Sequence, residues 1–145
     1  MSESPPPVLL ALKPCYADLV FTGRKTAELR RRMPACMENR RVFIYVSSPV
    51  RQLRGGFRVE RMWRGTPEEI WAQVKRLAMV GKDAFDAYYA GRTTAYALKI
   101  ADVWECKNSV DLSQLKNRFP NFVVPQSWRS LRPEEYRSFR NMKRH

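Results

Sequence analysis

Histidine is almost missing from this chain: among 145 residues there is one, His145, at the last position. Chain ends fray, so a fixed catalytic geometry is not expected there. That scarcity excludes Ser-His-Asp and Cys-His nucleophilic arrangements, a histidine general base and an ordinary zinc site. No metal and no cofactor is expected. Cysteine is scarce as well. Cys15, Cys36 and Cys106 are odd in number and widely separated, without the paired spacings of metal or redox motifs, and read as reduced, partly buried thiols. Long apolar runs are absent too: the longest, Val8 to Leu12, is far too short to span a bilayer, and scattered basic residues argue against a membrane-surface helix. Residues 1–7, Met-Ser-Glu-Ser-Pro-Pro-Pro, lack a basic n-region and an apolar h-region. They read as a disordered polar lead on a cytoplasmic protein.

Acidic residues are the other deficit, 14 against 27 Lys and Arg, for a formal net charge of +13. Such a surplus repels itself in any compact state, and phosphate polyanions are its usual counterpart because each neutralised phosphate releases counterions. Arginine outweighs lysine in the basic clusters. Arg30, Arg31, Arg32, Arg40 and Arg41 crowd the first half and Arg137, Arg140, Lys143 and Arg144 the end, which suits phosphate forks and stacking on bases. The length and an apolar fraction of 44% fit one core, so residues 8–145 are expected to form a single domain with a basic C-terminal helix.

Val8 to Leu12 predicts a buried first strand, followed by a helix that opens at Pro14, places Tyr16, Leu19 and Val20 on one face and stops at Gly23. Residues 25–30 alternate as a strand, with Ala27 and Leu29 on one face and Thr26, Glu28 and Arg30 on the other. Arg41 to Val46 predicts a central strand, Ser47-Ser48-Pro49 its end, and Gly55-Gly56 the opening of a strand that places Phe57, Val59, Arg61 and Trp63 on one face. Thr66-Pro67-Glu68-Glu69 is a capping box, predicting a helix that carries Ile70, Val74 and Leu77 inward. A short helix is expected over residues 83–90 and a strand over 93–104. An irregular segment over 107–132 should hold a helical turn at Leu112 and Leu115 and an ordered loop at Pro125-Gln126-Ser127-Trp128. A last helix begins at Pro133 and packs Tyr136 and Phe139. The mixed rhythm predicts an α+β domain on a curled sheet or small barrel.

The segment Gly23-Arg24-Lys25-Thr26-Ala27-Glu28-Leu29-Arg30 matches Gly-x-Lys-x-x-Glu-x-Arg at all four defining places. With Lys13-Pro14 before it, Tyr45-Val46-Ser47-Ser48-Pro49-Val50 after it and Pro125-Gln126-Ser127-Trp128 near the end, the chain resembles the activating signal cointegrator homology (ASCH) family, in its prokaryotic regulator-like branch. The resemblance implies a PUA-like fold, a small mixed or antiparallel β-barrel flanked by helices, with a nucleic-acid cleft beside the signature.

Read physically, Gly23 permits the reversal that brings Lys25 to the edge of a groove. Glu28 and Arg30 share a strand face, where they either form a buried ion pair that fixes the barrel or divide labour on a ligand. Lys13 is a second cation, Arg31 and Arg32 extend the basic end, and Ser47 and Ser48 are hydroxyl or backbone donors. Tyr88, Tyr89, Trp104 and above all Trp128 are candidate platforms for an unpaired base. A binding module for RNA is expected, with single-stranded or double-stranded DNA as the alternative partner and no obligate protein partner. The resemblance also admits a ribonuclease, or an amidohydrolase on acetylated cytidine that uses Lys25 as base. Where that branch places its nucleophile this chain has Glu28, so Thr26 would have to serve. A DNA-binding regulator is the third reading, without a helix-turn-helix to support it.

Overall fold

The computed structural model describes residues 5–142 and residue 144. Residues 1–4 of the expected lead, Lys143 and His145 lie outside the described residues. Pro6 and Pro7 run along the domain: the Pro6 carbonyl accepts from Arg40 Nη2 at 2.6 Å, and that of Pro7 from the Leu131 N–H at 2.8 Å.

Six strands form one sheet: β1 (Val8–Leu12), β2 (Ala27–Arg30), β3 (Arg41–Val46), β4 (Gln52–Gly65), β5 (Ala95–Asp111) and β6 (Trp128–Ser130). Their order is β2-β5-β4-β3-β1-β6, parallel only between β1 and β3. The expected α+β barrel is present as a curled half-barrel whose edges, β2 and β6, do not pair. Around it sit α1 (Pro14–Phe21), α2 (Pro67–Val74), α3 (Lys82–Tyr88), α4 (Leu112–Arg118) and α5 (Pro133–Phe139).

The unbroken apolar runs of β1 and β3 follow from burial on both faces. Val8, Leu10, Leu12, Val42 and Ile44 pack inward with Phe57, Val59 and the α1 residues Ala17 and Val20. On the opposite face Leu9, Phe43 and Tyr45 pack beneath Leu115 of α4 and Phe139 of α5. A third cluster joins Ala27 and Leu29 of β2 to Ile70 and Val74 of α2 and to Phe85. The capping box forms as read, with the Thr66 side chain accepting from the Glu69 N–H. Gly23 takes the left-handed φ of 78° expected of a helix stop.

Several expectations are corrected. Tyr16 is exposed, because Ala17 and Val20 are the inward residues of α1. The alternation read along β4 breaks at a bulge between Val59 and Arg61. The extra residue reverses facing, so Met62 joins the Phe57 side, Trp63 the β2 side, and Arg61 is left exposed. Strand β5 runs to Asp111, because β4 begins at Gln52 and pairs it with Asp111, holding a polar stretch of weak strand propensity. Trp128 lies in β6, opposite Leu10, where a loop was expected.

Gly55 and Gly56 do not open β4; they lie inside it, where neighbouring backbones press close. A Cβ at Gly56 would stand 2.1 Å from the Val42 carbonyl oxygen, and one at Gly55 2.2 Å from that of Trp104. Backbone atoms in paired strands cannot retreat. Gly56→Ala is therefore expected to destabilise by the upper end of the roughly 1–3 kcal/mol typical of overpacking. Urea unfolding checks this, and an unchanged midpoint would contradict it.

Candidate nucleic-acid interface

Where the two sheet edges face each other without pairing, side chains bridge the seam. Arg30 at the end of β2 places Nη2 at 3.5 Å from both the Ala11 and the Ser127 carbonyl oxygens. Trp128 of β6 donates its indole N–H to the Arg32 carbonyl at 2.9 Å. Along this seam opens a groove of about 1470 Å³. The signature lies on one side of it and residues 11–13 and 123–129 on the other, so the groove sits where the barrel fails to close.

Lys25, Glu28 and Arg30 all line the groove, with only 3%, 5% and 7% of their surfaces exposed. Lys25 was expected at a groove edge. It is buried, because its ammonium reaches inward and donates to the Ala78 carbonyl beyond α2; the Tyr16 ring centroid lies 5.6 Å from it. The ion pair weighed for Glu28 is present, Arg30 Nε standing 3.5 Å from Glu28 Oε2, both side chains buried. At that separation the Nε–H makes no hydrogen bond among the described residues. A buried donor without a partner costs about 1–3 kcal/mol and is an opening for a ligand acceptor.

Three ionisable groups in one dry place perturb each other. Burial pushes the Lys25 ammonium below its ordinary pKa; Glu28 resists this and Arg30 adds to it. Burial likewise raises the Glu28 carboxyl, with the Arg30 and Lys25 charges pulling it only partly back. Burial thus weakens the charged form of both the lysine and the glutamate, while their mutual attraction and the Arg30 charge keep the three coupled.

The rim is cationic: Lys13, Arg31, Arg32 and Arg92 are exposed around the groove. Ser47 lines it too, its N–H spent on the Leu12 carbonyl at 2.8 Å. Thr26 and Ser48, the remaining predicted residues, lie outside the groove lining. Thr26 has its N–H on the Leu77 carbonyl at 2.9 Å and its own carbonyl on the Ile100 N–H, so its backbone is bound between α2 and β5. Ser48 sits outward in the turn after β3.

Among the aromatics, Tyr88 and Trp128 line the groove, whereas Tyr89 is buried, its hydroxyl donating to the Tyr96 carbonyl at 2.9 Å. Trp104 belongs to the opposite face, against Phe43 and under Arg144. Trp128 is half-buried against the inner core and fixed by its indole N–H, so it is a clasp of the seam more than a free platform. Reading the sequence missed Arg92 and Arg129. The Gly91 turn signal marked the place of the first; for the second, the only sign was an arginine beside the Trp128 loop.

Comparison with known proteins bears on the family and the fold. The ASCH domain family matches residues 10–122. The ASCH domain-containing ribonuclease of Zymomonas mobilis is 32% identical over 127 residues, spanning 88% of this chain and 85% of that protein. The crystal structure of ASCH from Zymomonas mobilis superposes with a TM-score of 0.84 at 30% identity, covering 91% of this chain and 92% of that one. The N-terminal domain of Staphylothermus marinus McrB shares the fold alone, at a TM-score of 0.58 and 11% identity. Signature, curled sheet and relatives coincide, and the chain belongs to the ASCH domain family.

Proposed function

We propose that this protein binds RNA in the seam groove, drawing affinity from the cationic rim and selecting a base with Lys25, Glu28 and Arg30. The observation that carries the reading is the groove itself, which combines exposed guanidinium groups at its mouth with a buried, incompletely hydrogen-bonded charge triad at its floor. The triad is buried at the groove floor, and an unpaired nucleotide, whose base can turn out of a strand to reach it, is the ligand the groove favours. DNA single strands are the secondary partner through the same rim. The exposed thiols of Cys15 and Cys36 suit a reducing cytoplasm. No described helix is long and apolar enough to cross a membrane.

Hydrolysis of RNA is the second reading, favoured by the name of the Zymomonas relative and by the lowered pKa of Lys25. A neutral Lys25 amine could take the proton of a ribose 2′-hydroxyl, whose oxygen would then bond to the adjacent phosphorus as a 2′,3′-cyclic phosphate while the 5′-oxygen leaves as a hydroxyl with the proton returned by the Lys25 ammonium. An acetylated-cytidine hydrolase finds less support, since Thr26 is not in the groove.

One titration tests these readings. Four exposed cations on the rim predict a log-log salt slope near −2.8 for a short single-stranded RNA, or about a 50-fold loss of affinity between roughly 50 and 200 mM salt. Salt-independent binding, or affinity unchanged in Lys25→Met, contradicts the proposal. The same samples run on a denaturing gel report cleavage, which a single 2′-deoxy substitution at the cut site should abolish if the lysine acts as described.

A further inference from the structure

Beside the mouth of the groove lies a second concavity of about 400 Å³, which shares Arg31, Arg32 and Arg92 with it and is completed by Thr93 and Thr94. No carboxylate lines this annex. None of its three arginines has an acidic partner within ion-pair distance among the described residues, although Arg30, Arg54, Arg58 and Arg129 all do. Three arginines around one concavity without a carboxylate concentrate positive charge there, which an incoming anion would offset.

The annex is also braced. The Arg31 guanidinium lies over the Tyr88 ring at 4.8 Å, and the Tyr88 hydroxyl in turn donates to the Leu29 carbonyl of β2 at 3.2 Å. Arg92 follows Gly91, whose left-handed φ of 77° turns the chain, and its N–H is fixed on the Tyr89 carbonyl at 2.9 Å. The Arg32 carbonyl is held by Trp128 across the seam. Guanidinium forks and threonine hydroxyls are donors of the kind that hold phosphate oxygens, and their charge is complementary to one.

We propose that the annex formed by Arg31, Arg32, Arg92, Thr93 and Thr94 is a phosphodiester subsite, holding the backbone of the strand whose base enters the groove. The inference rests on the RNA-binding reading and deepens it. It fixes a direction: the base turns inward to the buried triad, and the adjoining phosphate stays at the surface on the α3 side. Free phosphate or pyrophosphate shares the chemistry and is the competing source.

The test is anisotropy with a single-stranded RNA of ten nucleotides and a set of analogues, each carrying one neutral methylphosphonate linkage, against wild type, Arg92→Gln and Arg92→Lys. Arg92 is exposed, so the thermal midpoint of both variants should match wild type. Arg92→Gln is expected to weaken binding about tenfold and to reduce the salt slope by about 0.7, and Arg92→Lys to restore the slope. At one linkage, neutralisation should cost wild type the same factor yet cost Arg92→Gln nothing further. Additive losses at every linkage, or an unchanged slope, overturn the subsite while leaving RNA binding intact. Absence of any RNA binding by wild type sinks the underlying reading and the subsite together. Titration with inorganic phosphate and with pyrophosphate separates the sources: tight binding that Arg92→Gln abolishes, combined with additive losses on RNA, would reassign the annex to a free anion.

Discussion

Replacing Glu28 by alanine is expected to cost about 3–5 kcal/mol of stability, a large share of the roughly 5–15 kcal/mol that holds a domain together. The carboxylate is the only negative group in the buried triad, and its removal leaves Lys25 and Arg30 facing each other at the floor of the groove. The pH dependence identifies the cause. Lys25 already has a native pKa below its ordinary value, and losing Glu28, the one influence raising it, must lower it further. A lysine whose native pKa is depressed binds fewer protons in the folded than in the unfolded state. Stability therefore rises with pH from that native value up to its unfolded value near 10.4. The deficit of Glu28→Ala should accordingly shrink as pH is raised toward 10. In the wild type Glu28 works in the opposite sense: its native pKa is raised, so stability falls as pH climbs from about 4.3 to that native value. Urea midpoints measured across pH check both limbs. A deficit that does not change with pH would mean that lost packing, not the orphaned cations, explains the variant.

The second large effect is expected at Glu135, which is fully buried at the start of α5. Its carboxylate accepts from Arg129 Nη1 and Nη2, both at 2.8 Å, and from the Arg132 N–H at 2.8 Å. Burial by itself would raise this carboxyl, but those hydrogen bonds and the two arginine charges outweigh it and hold the native pKa below the ordinary value. The ion pair therefore contributes stability above the unfolded pKa of about 4.3, and that contribution is lost as pH falls through the depressed native value. Glu135→Ala leaves Arg129 unpaired beside Phe122 and should cost about 3–5 kcal/mol at neutral pH. Arg129 lines the groove, so the same change frees a cation at the proposed RNA site. Arg129→Ala combined with Glu135→Ala is expected to recover part of the lost stability, since no buried charge then lacks its partner. Thermal unfolding of the two single variants and the double variant decides it, and strictly additive losses would show that the pair is not coupled.

Much of the architecture was legible because it is written in local chemistry. The Thr66 capping box, the Pro14 and Pro133 helix starts, the Gly23 stop and the doubly buried strand Arg41–Val46 each follow from residues within one or two turns of chain. Failures occurred where a distant strand decides the outcome. The bulge after Val59 reverses the faces of Met62 and Trp63 because β5 pairs with β4 out of step. The polar end of β5 is a strand only because Gln52 lies opposite Asp111. Trp128 was read as free to stack, yet its indole N–H clasps the Arg32 carbonyl across the seam.

For function, the sequence by itself determined the surplus of positive charge, the scarcity of histidine and the Lys25, Glu28 and Arg30 constellation, because those are properties of residue types and short spacings. Only the tertiary structure decided that the three are buried, that Thr26 and Ser48 stand apart from them, and that Arg92 joins Arg31 and Arg32 although 60 positions intervene between Arg31 and Arg92. The physical reason is the unpaired seam. Two sheet edges, β2 and β6, face each other without strand pairing, and the gap they leave brings together side chains that no local pattern connects.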